Sequence, residues 1–227
     1  AVIDFTLSEE QVALRESAAR LADEVYAPVA REWDETCTPL PDEERKRLAE
    51  LGFLGIALPE EHGGAGGDLL DALIVVEELA KRSIIPAFQV FEANTGPARV
   101  IDLFGTEEQK ARLLPPIIDG EVTMAVAISE PDAGSAATDL TTSARREGDV
   151  YVVNGMKRWC SGGGHAEQYL TYVRLTDEPG AKGIGALVVD RDTPGLTFGP
   201  QERLMGFHGI PSADMFFDDV RVPAENL

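Results

Sequence analysis

The spacing of apolar residues along the chain changes once, near residue 120. Before that point apolar positions recur every three or four residues, as they do for Leu14, Ala18 and Leu21, which is the period of one helix face. After it, apolar residues fall in short runs rich in Val, Thr, Tyr and Phe. We therefore predict an α+β fold, with an all-α helical domain at residues 1–120 followed by an antiparallel β-barrel domain at residues 121–227.

Capping signals set the predicted helix starts. Ser8 and Thr106 each begin a Ser/Thr-x-x-Gln capping box, and Asp68 is placed to cap a helix. Turn pairs such as Asn154-Gly155 separate the predicted strands. The predicted helices follow Ser8 and Asp68 and occupy residues 43–51, 88–104 and 107–118. The predicted strands occupy residues 122–128, 138–145, 150–154, 157–160, 168–175, 184–190, 196–199, 215–217 and 220–222.

Composition argues against several classes of partner. The 227 residues are 44% hydrophobic, yet they contain no apolar run of about 18 residues, so no membrane span is expected. The 40 acidic and 20 basic residues give a net charge of −20. Nucleic acid and anionic membranes both require a basic protein face, so neither is an expected partner.

Cysteine and histidine usage bears on compartment and on metals. Cys37 and Cys160 are too few for a disulfide framework, which predicts a reducing, cytoplasmic location. The first ten residues have neither the basic nor the apolar region of a signal peptide, so none is expected. The three histidines are far apart in sequence, and no Cys-x-x-Cys or His-Glu-x-x-His motif occurs. No metal site is therefore expected.

The candidate binding site is a strand that ends in a tight turn. Apolar residues 122–128 run into the sequence S-E-P-D-A-G-S at residues 129–135, which offers backbone N–H groups and hydroxyls with little side-chain bulk. The sequence N-G-M-K-R-W-C-S at residues 154–161 adds an indole and a further hydroxyl. An aromatic face beside hydrogen-bonding loop atoms suits a flat heterocycle with an anionic part. A glycine-rich turn without any function has the same composition.

Five further residues each have two interpretations. His62 is a general base or, preferably, a surface loop residue. Glu130 acts in catalysis or, preferably, accepts N–H groups of its own loop. Glu92 interrupts an apolar helix, so it either lines a pocket or faces solvent. Cys160 is interpreted as a buried thiol rather than a nucleophile. Lys157 is interpreted as a solvated charge at a strand edge rather than a phosphate ligand.

Five short motifs resemble, in order, those of the acyl-CoA dehydrogenase family. They are P-E-E-H-G-G-A-G at 59–66, S-E-P-D-A-G-S at 129–135, N-G-M-K-R-W at 154–159, T-P-G-L at 193–196 and F-D-D-V-R-V-P-A-E-N at 217–226. The matches span nearly the whole length of the chain, across the predicted change from helices to strands. The chain therefore resembles the N-terminal helical and middle β domains of that family.

The resemblance implies an FAD site. In the family, the loop around the E-P-x-A-G-S motif and the tripeptide that begins with the tryptophan hold the flavin. Carried over by position, the implied FAD-binding residues are Val126, Ala127, Ile128, Ser129, Gly134, Ser135, Trp159, Cys160 and Ser161. The resemblance also implies that Ser135 contacts the CoA moiety and that Glu92 lies at the floor of the acyl pocket.

The implied reaction is the FAD-dependent α,β-dehydrogenation of an acyl-CoA thioester by a homotetramer. A glutamate takes the α proton, hydride passes from the β carbon to flavin N5, and electrons then leave to an electron-transfer flavoprotein. In the family that glutamate lies in a C-terminal helical domain, and the chain stops at Leu227, where this domain would begin. No residue here matches the base. We therefore assign no catalytic residue and expect the chain alone to be inactive.

The chain also departs from the family pattern. Ala136, Cys160 and His208 stand where aspartate, isoleucine and arginine are common. The segments at 159–164 and 206–212 look more like those of short, branched-chain members than those of medium-chain members. Two alternatives remain open. One is a flavin-dependent oxidase relative that acts on a non-CoA substrate, and the other is a non-catalytic partner subunit or binding module of a hetero-oligomer.

Overall fold

The computed structural model describes residues 6–227. Residues 1–5, which open the predicted helical domain and the stretch searched for a signal peptide, lie outside the described residues. A π-helical turn at Ala22–Tyr26 extends the first helix. Among residues 6–227, no helix combines the length and the apolar character needed to cross a membrane. The α-helices are α1 (Glu9–Leu21), α2 (Ala30–Glu35), α3 (Asp42–Glu50), α4 (Leu69–Ala80), α5 (Ile84–Thr95), α6 (Pro97–Phe104) and α7 (Glu107–Ile118).

The predicted capping boxes form. Ser8 Oγ accepts the N–H of Gln11, and the Gln11 side-chain oxygen accepts the N–H of Ser8, both at 3.1 Å. Thr106 and Gln109 make the same exchange at the start of α7, and the carboxylate of Asp68 caps α4. These side chains satisfy N–H groups that every helix leaves unpaired at its start. The capped helix starts were therefore predictable from the sequence.

The single helix predicted at 88–104 is wrong, because the structure has two helices there. Helix α5 ends at Thr95 and α6 begins at Pro97. Gly96, between them, has a non-helical φ of −89° and ψ of −130°. Proline has no N–H to donate to the preceding turn, so it starts a new helix rather than continuing the old one.

Seven strands form one mixed sheet in the order β1–β4–β2–β3–β7–β6, with β5 paired to β4. Strand β1 runs parallel to β4, and β2 is parallel to β4 where Ser143 faces Arg174. The α+β class is confirmed, but the prediction of a purely antiparallel β domain is wrong. Short apolar runs carry no information about strand direction. The strands are β1 (Met124–Ala127), β2 (Ser143–Glu147), β3 (Val150–Ser161), β4 (Gln168–Arg174), β5 (Ile184–Asp190), β6 (Leu196–Phe198) and β7 (Ser212–Pro223).

The breaks predicted inside what are now β3 and β7 do not occur. The predicted turn pair Asn154-Gly155 lies in a bulge of β3, where Asn154 and Asp219 exchange two hydrogen bonds of 2.9 Å. Gly155 has a φ of +142°, and a Cβ built on it would lie 2.7 Å from the Cα of Thr142. This glycine therefore permits a close approach of two backbones rather than a turn.

Strand β4 contributes its two faces to two hydrophobic cores. Leu170 and Tyr172 pack with residues of the helices, among them Leu114. Tyr169 and Val173 pack in the second core, inside the sheet. Successive side chains of a strand point to opposite faces, so a single strand can serve both cores. The helices thus cover one face of the sheet while the second core fills the other.

Polar side chains also join the helices to the sheet. Arg45 of α3 donates to Thr123 Oγ1 at 2.8 Å and to Glu167 at 3.1 Å. Arg112 of α7 donates to Asn226, which in turn donates to the β5 backbone, each at 2.8 Å. The boundary predicted at residues 120 and 121 lies in the connection from α7 to β1 and stays a prediction.

Gly155→Ala is expected to lower the free energy of unfolding by about 3 kcal/mol, because the new Cβ meets the Thr142 backbone at a φ that alanine disfavours. Gly148→Ala is the matched control, since Gly148 also has a positive φ but no atom lies within 4 Å of its built Cβ. The control should cost only about 1 kcal/mol. Urea unfolding measures both values, and equal losses would contradict the close contact.

Candidate functional site

The two stretches singled out in the sequence meet where β1 ends against the second half of β3. Three hydrogen bonds join them: Arg158 N–H to Ser129 O (2.8 Å), Lys157 Nζ to Ile128 O (3.0 Å) and Cys160 Sγ to Val126 O (3.4 Å). We call residues 126–135 and 157–161 the cradle. The fold therefore brings together the parts of the predicted site at 126–129 and 159–161.

A buried ion pair holds the cradle together. Lys157 Nζ lies 2.8 Å from Glu130 Oε1, and the two side chains are 0% and 4% exposed. The same carboxylate accepts the N–H of Thr142 at 2.9 Å, and both the N–H and the hydroxyl of Thr141, at 2.6 and 2.9 Å. Buried charges require such partners, and here both charges have several.

These contacts agree with one interpretation and overturn another. Glu130 accepts backbone N–H groups, as preferred from the sequence. Lys157, interpreted as a solvated charge at a strand edge, is instead fully buried. Strand β3 lies inside the sheet, between β2 and β7, and this part of it packs under the turn after β1. The lysine therefore points into the protein rather than toward water.

The partners of the pair determine its charge. Burial alone would raise the pKa of Glu130, but hydrogen bonds from Lys157, from Thr142 and from the backbone outweigh burial and lower the pKa to about 2. Burial lowers the pKa of Lys157, and Glu130 opposes that shift. The carboxylate is therefore ionised at neutral pH and keeps the ammonium group beside it.

The outer side of the cradle offers unused hydrogen-bond donors. Gly134 and Ser135 are exposed, and no atom lies within 4 Å of a Cβ built on Gly134. Within residues 6–227, the backbone N–H groups of Gly134 and Ser135 have no acceptor. The hydroxyls of Ser129, Ser135 and Ser161 likewise have no hydrogen-bond partner in that part of the chain. A bound molecule can take up all of these groups.

Trp159 presents its ring through a strained backbone. Its φ is +55°, and the register of β3 against β7 shifts between Lys157 and Cys160. The N–H of Trp159 leaves the ladder and donates to Asp214 Oδ1 at 3.2 Å. The side chain is 54% exposed, and the Arg158 guanidinium lies 4.8 Å from the ring centre. A bulge redirects side chains, so the strain here serves to expose an aromatic surface.

Cys160 and Glu92 lie on the inner side of the cradle. Burial, and after it the nearby Glu92, raise the pKa of Cys160 to about 12, so the buried residue is a thiol, as interpreted from the sequence. Glu92 of α5 lines a cavity of about 140 Å³ together with Arg45, Gly162 and Glu167. Burial raises the pKa of Glu92 to about 8. Its position supports the pocket interpretation over the solvent-facing one.

Sequence reasoning missed three residues that shape the cradle. Thr141 and Thr142 bind the buried carboxylate. Tyr169 OH donates to Gly162 O at 3.1 Å and accepts the N–H of Gly164 at 2.9 Å, which fixes the turn after β3. No local motif marks these residues, because each bonds to a partner five to twelve residues away along the chain.

Two protein-family models match this chain. The model described as Acyl-CoA dehydrogenase, N-terminal domain, matches residues 8–121, and the model described as Acyl-CoA dehydrogenase, middle domain, matches residues 125–220. The chain belongs to the acyl-CoA dehydrogenase family. The first sequence motif, at 59–66, falls in the first matched region, and the cradle falls in the second.

Individual acyl-CoA dehydrogenase relatives are similar over nearly the whole chain. It is 40% identical over 221 residues to the mitochondrial isobutyryl-CoA dehydrogenase of Dictyostelium discoideum, covering 97% of this chain and 53% of that protein. Butyryl-CoA dehydrogenase from Megasphaera elsdenii is 34% identical with a TM-score of 0.92, covering 99% and 59%. PigA with FAD and proline is 27% identical with a TM-score of 0.92, covering 99% and 59%. The chain thus spans between half and three fifths of the length of these relatives.

Glu130→Gln is expected to lower the free energy of unfolding of the chain by about 3 kcal/mol at pH 7, because it leaves the buried Lys157 ammonium without its counter-charge. Glu147→Gln removes a partly exposed carboxylate that pairs with Arg145 and Arg221 at the surface, and it should cost less than about 1 kcal/mol. Urea unfolding of the two variants tests the difference.

The same variant has a defined pH dependence. The pKa of Glu130 is lowered from 4.5 to about 2, so its ionised form stabilises the fold above pH 4.5 and this contribution is lost as pH falls through about 2. The difference in unfolding free energy between wild type and Glu130→Gln should therefore shrink across that interval. A difference that stays constant down to pH 2 would show that the carboxylate is not ionised in the fold.

Glu92 should act in the opposite direction. The pKa of Glu92 is raised from 4.5 to about 8, so between these values the folded chain keeps a proton that the unfolded chain has released. The free energy of unfolding therefore falls as pH rises across this range. Glu92→Gln has no such proton, so it should gain stability relative to wild type from pH 5 to pH 8. A pH-independent difference between the two would count against a buried acid.

Proposed function

We propose that this chain forms the flavin-binding part of an FAD-dependent acyl-CoA dehydrogenase, an enzyme that removes the α and β hydrogens of an acyl-CoA thioester. The observation that carries the proposal is the set of three hydrogen bonds that join residues 126–129 to 157–160. These bonds join the two family motifs directly, which supports a common site. Sequence similarity alone does not require the two motifs to touch.

The chemistry of the cradle fits FAD. A flavin with its pyrophosphate needs hydrogen-bond donors, an aromatic surface and little steric bulk. The unused N–H groups of Gly134 and Ser135 and the free hydroxyls of Ser129 and Ser161 supply the donors. Trp159 supplies the aromatic face. With a net charge of −20, the chain favours binding of an anion by backbone dipoles rather than by a basic surface.

Each part of the cradle has a role in this proposal. FAD, when bound, supplies the acceptor for the hydride of the β carbon. Trp159, Cys160 and Ser161 orient its ring system, and residues 126–129 form the opposite wall. Ser135, at the exposed end, contacts the CoA moiety. Glu92 lines the floor of the acyl pocket, where its protonated form donates a hydrogen bond or contacts an apolar chain without a net charge.

The proposal includes partners that the chain does not contain. Removal of the α proton requires a base, and none of the matched motifs supplies one. We assign it to a C-terminal helical domain, within the length of the relatives that this chain does not cover. Electron-transfer flavoprotein is the proposed acceptor, a homotetramer the proposed assembly and the cytoplasm the proposed location.

One comparison favours a second candidate function. PigA, whose structure is described with FAD and proline, matches 99% of this chain at a TM-score of 0.92. The cradle is therefore also compatible with an oxidase relative that acts on a substrate without CoA. The two functions are separated by the substrate and by the acceptor. Reduction of electron-transfer flavoprotein by an acyl-CoA supports the first, and oxygen consumption with a non-CoA substrate supports the second.

A flavin titration tests the cradle itself. FAD added to the chain should bind saturably, with a shift in the visible flavin spectrum. Trp159→Leu is expected to weaken binding by about two- to tenfold, since aromatic stacking contributes roughly 0.5–1.5 kcal/mol. The chain has two tryptophans, and Trp33 packs against Tyr26 in the helical part, so Trp33→Leu is the matched control and should bind as wild type does. Equal affinity of all three proteins would sink the proposal that the indole holds the flavin.

A further inference from the structure

A second group of side chains lies outside the cradle, where the glycine-rich loop at 59–67 meets the first turn of α7. Glu61, His62 and Glu107 each place one potential ligand atom so that all three atoms lie within 4.8 Å of one another. The two carboxylates are far apart in sequence, and Glu107 is the first residue of its helix. No sequence spacing could have revealed the cluster, which explains why no metal site was expected.

The imidazole of His62 is the part of the cluster that indicates a ligand. Its side chain is only 10% exposed. Nε2 is shielded from solvent and has no hydrogen-bond partner in the described part of the chain. The nearest carboxylate atom, Glu61 Oε1, lies 3.7 Å away, too far for a hydrogen bond. A buried nitrogen without a partner is costly, and a bound cation removes that cost.

The backbone holds this imidazole in place. His62 ends a short 3₁₀ helix, Glu60–His62, and Gly63 follows with a φ of +93°. The N–H groups of His62 and Gly64 both donate to Pro59 O, at 3.1 and 3.0 Å. A tight turn therefore fixes one ligand, while the two carboxylates remain adjustable on exposed side chains.

We propose that Glu61, His62 and Glu107 bind a divalent transition-metal ion of the Zn²⁺ type. Imidazole together with carboxylates suits Zn²⁺ and its neighbours, whereas Mg²⁺ and Ca²⁺ prefer oxygen ligands alone. Three protein ligands leave a fourth position for water. Ligand atoms around one tetrahedral Zn²⁺ stand roughly 3.4 Å apart. The glutamates are 72% and 74% exposed, so rotamer changes can close the cluster onto the ion.

The positive charge of Lys110 repels a metal ion at this cluster, so removing that charge gives a second test of the site. Its ammonium lies 2.9 Å from Glu107 Oε1, which leaves the second oxygen of that carboxylate free. A metal ion must bind beside this positive charge. The carboxylates of Asp102 and Glu61 also interact electrostatically with the Lys110 ammonium. Replacing Lys110 with methionine keeps the length of the side chain but removes the charge. The affinity of the cluster for Zn²⁺ therefore rises in Lys110→Met.

Calorimetric titration of a zinc salt into the purified chain tests the site. Wild type should bind one Zn²⁺ saturably and unfold at a higher temperature when Zn²⁺ is present. His62→Gln, or Glu107→Gln if the first variant folds poorly, should lose affinity by at least about tenfold. Glu108→Gln is the matched control, since it removes one exposed charge beside the cluster without removing a ligand, and it should change affinity less than twofold.

The outcomes distinguish specific binding of Zn²⁺ at this cluster from non-specific binding of cations to an acidic protein. Tenfold loss in His62→Gln, little change in Glu108→Gln and tighter binding in Lys110→Met together support the site. Equal affinity of wild type and both ligand variants overturns it, as does the absence of saturable one-to-one binding. The measurement does not involve flavin or acyl-CoA, so its result is independent of the function proposed for the cradle.

Discussion

The buried ion pair between Glu130 and Lys157 is the contact on which the cradle depends. Each partner also hydrogen-bonds to the backbone. Lys157 Nζ donates to Ile128 O, and the Glu130 carboxylate accepts the N–H groups of Thr141 and Thr142. The turn after β1, the start of β2 and the middle of β3 therefore share one polar network. Such a network is rigid only when every member is satisfied, which is the case here. The outer surface can then offer donors to a ligand in a fixed geometry.

Strand β3 combines this rigidity with two backbone irregularities that have separate purposes. At Gly155 the missing Cβ lets β3 pass close to Thr142, whose hydroxyl donates to Met156 O and accepts the N–H of Met156. At Trp159 a left-handed φ turns an aromatic ring outward. The irregularity at Gly155 allows two segments of the backbone to pack closely. The irregularity at Trp159 exposes an aromatic surface to a ligand. A regular strand would provide neither.

Local chemistry explains what the sequence predicted. Ser8, Thr106 and Asp68 cap helices because side chain and backbone interact within one turn, and the motifs at 129–135 and 154–159 fall in the two segments that the fold joins. The errors arose where distant parts of the chain decide the outcome. The burial of Lys157 depends on Glu130 across the sheet, and the parallel pairing of β1 with β4 depends on the path of the whole β domain. The split at Gly96 was a local signal that helical periodicity obscured.

The double role of β4 has a consequence for how the chain comes to be folded. The seven α-helices of residues 6–227 are synthesised before β4, yet Leu170 and Tyr172 belong to the same core as Leu114 of α7. A nascent chain that has emerged only as far as α7 thus keeps an apolar face in contact with water or with a chaperone. A fragment cut after α7 would aggregate for the same reason. The helical and sheet parts look separable along the sequence, but they share the side chains of β4, so we expect them to unfold in one cooperative transition.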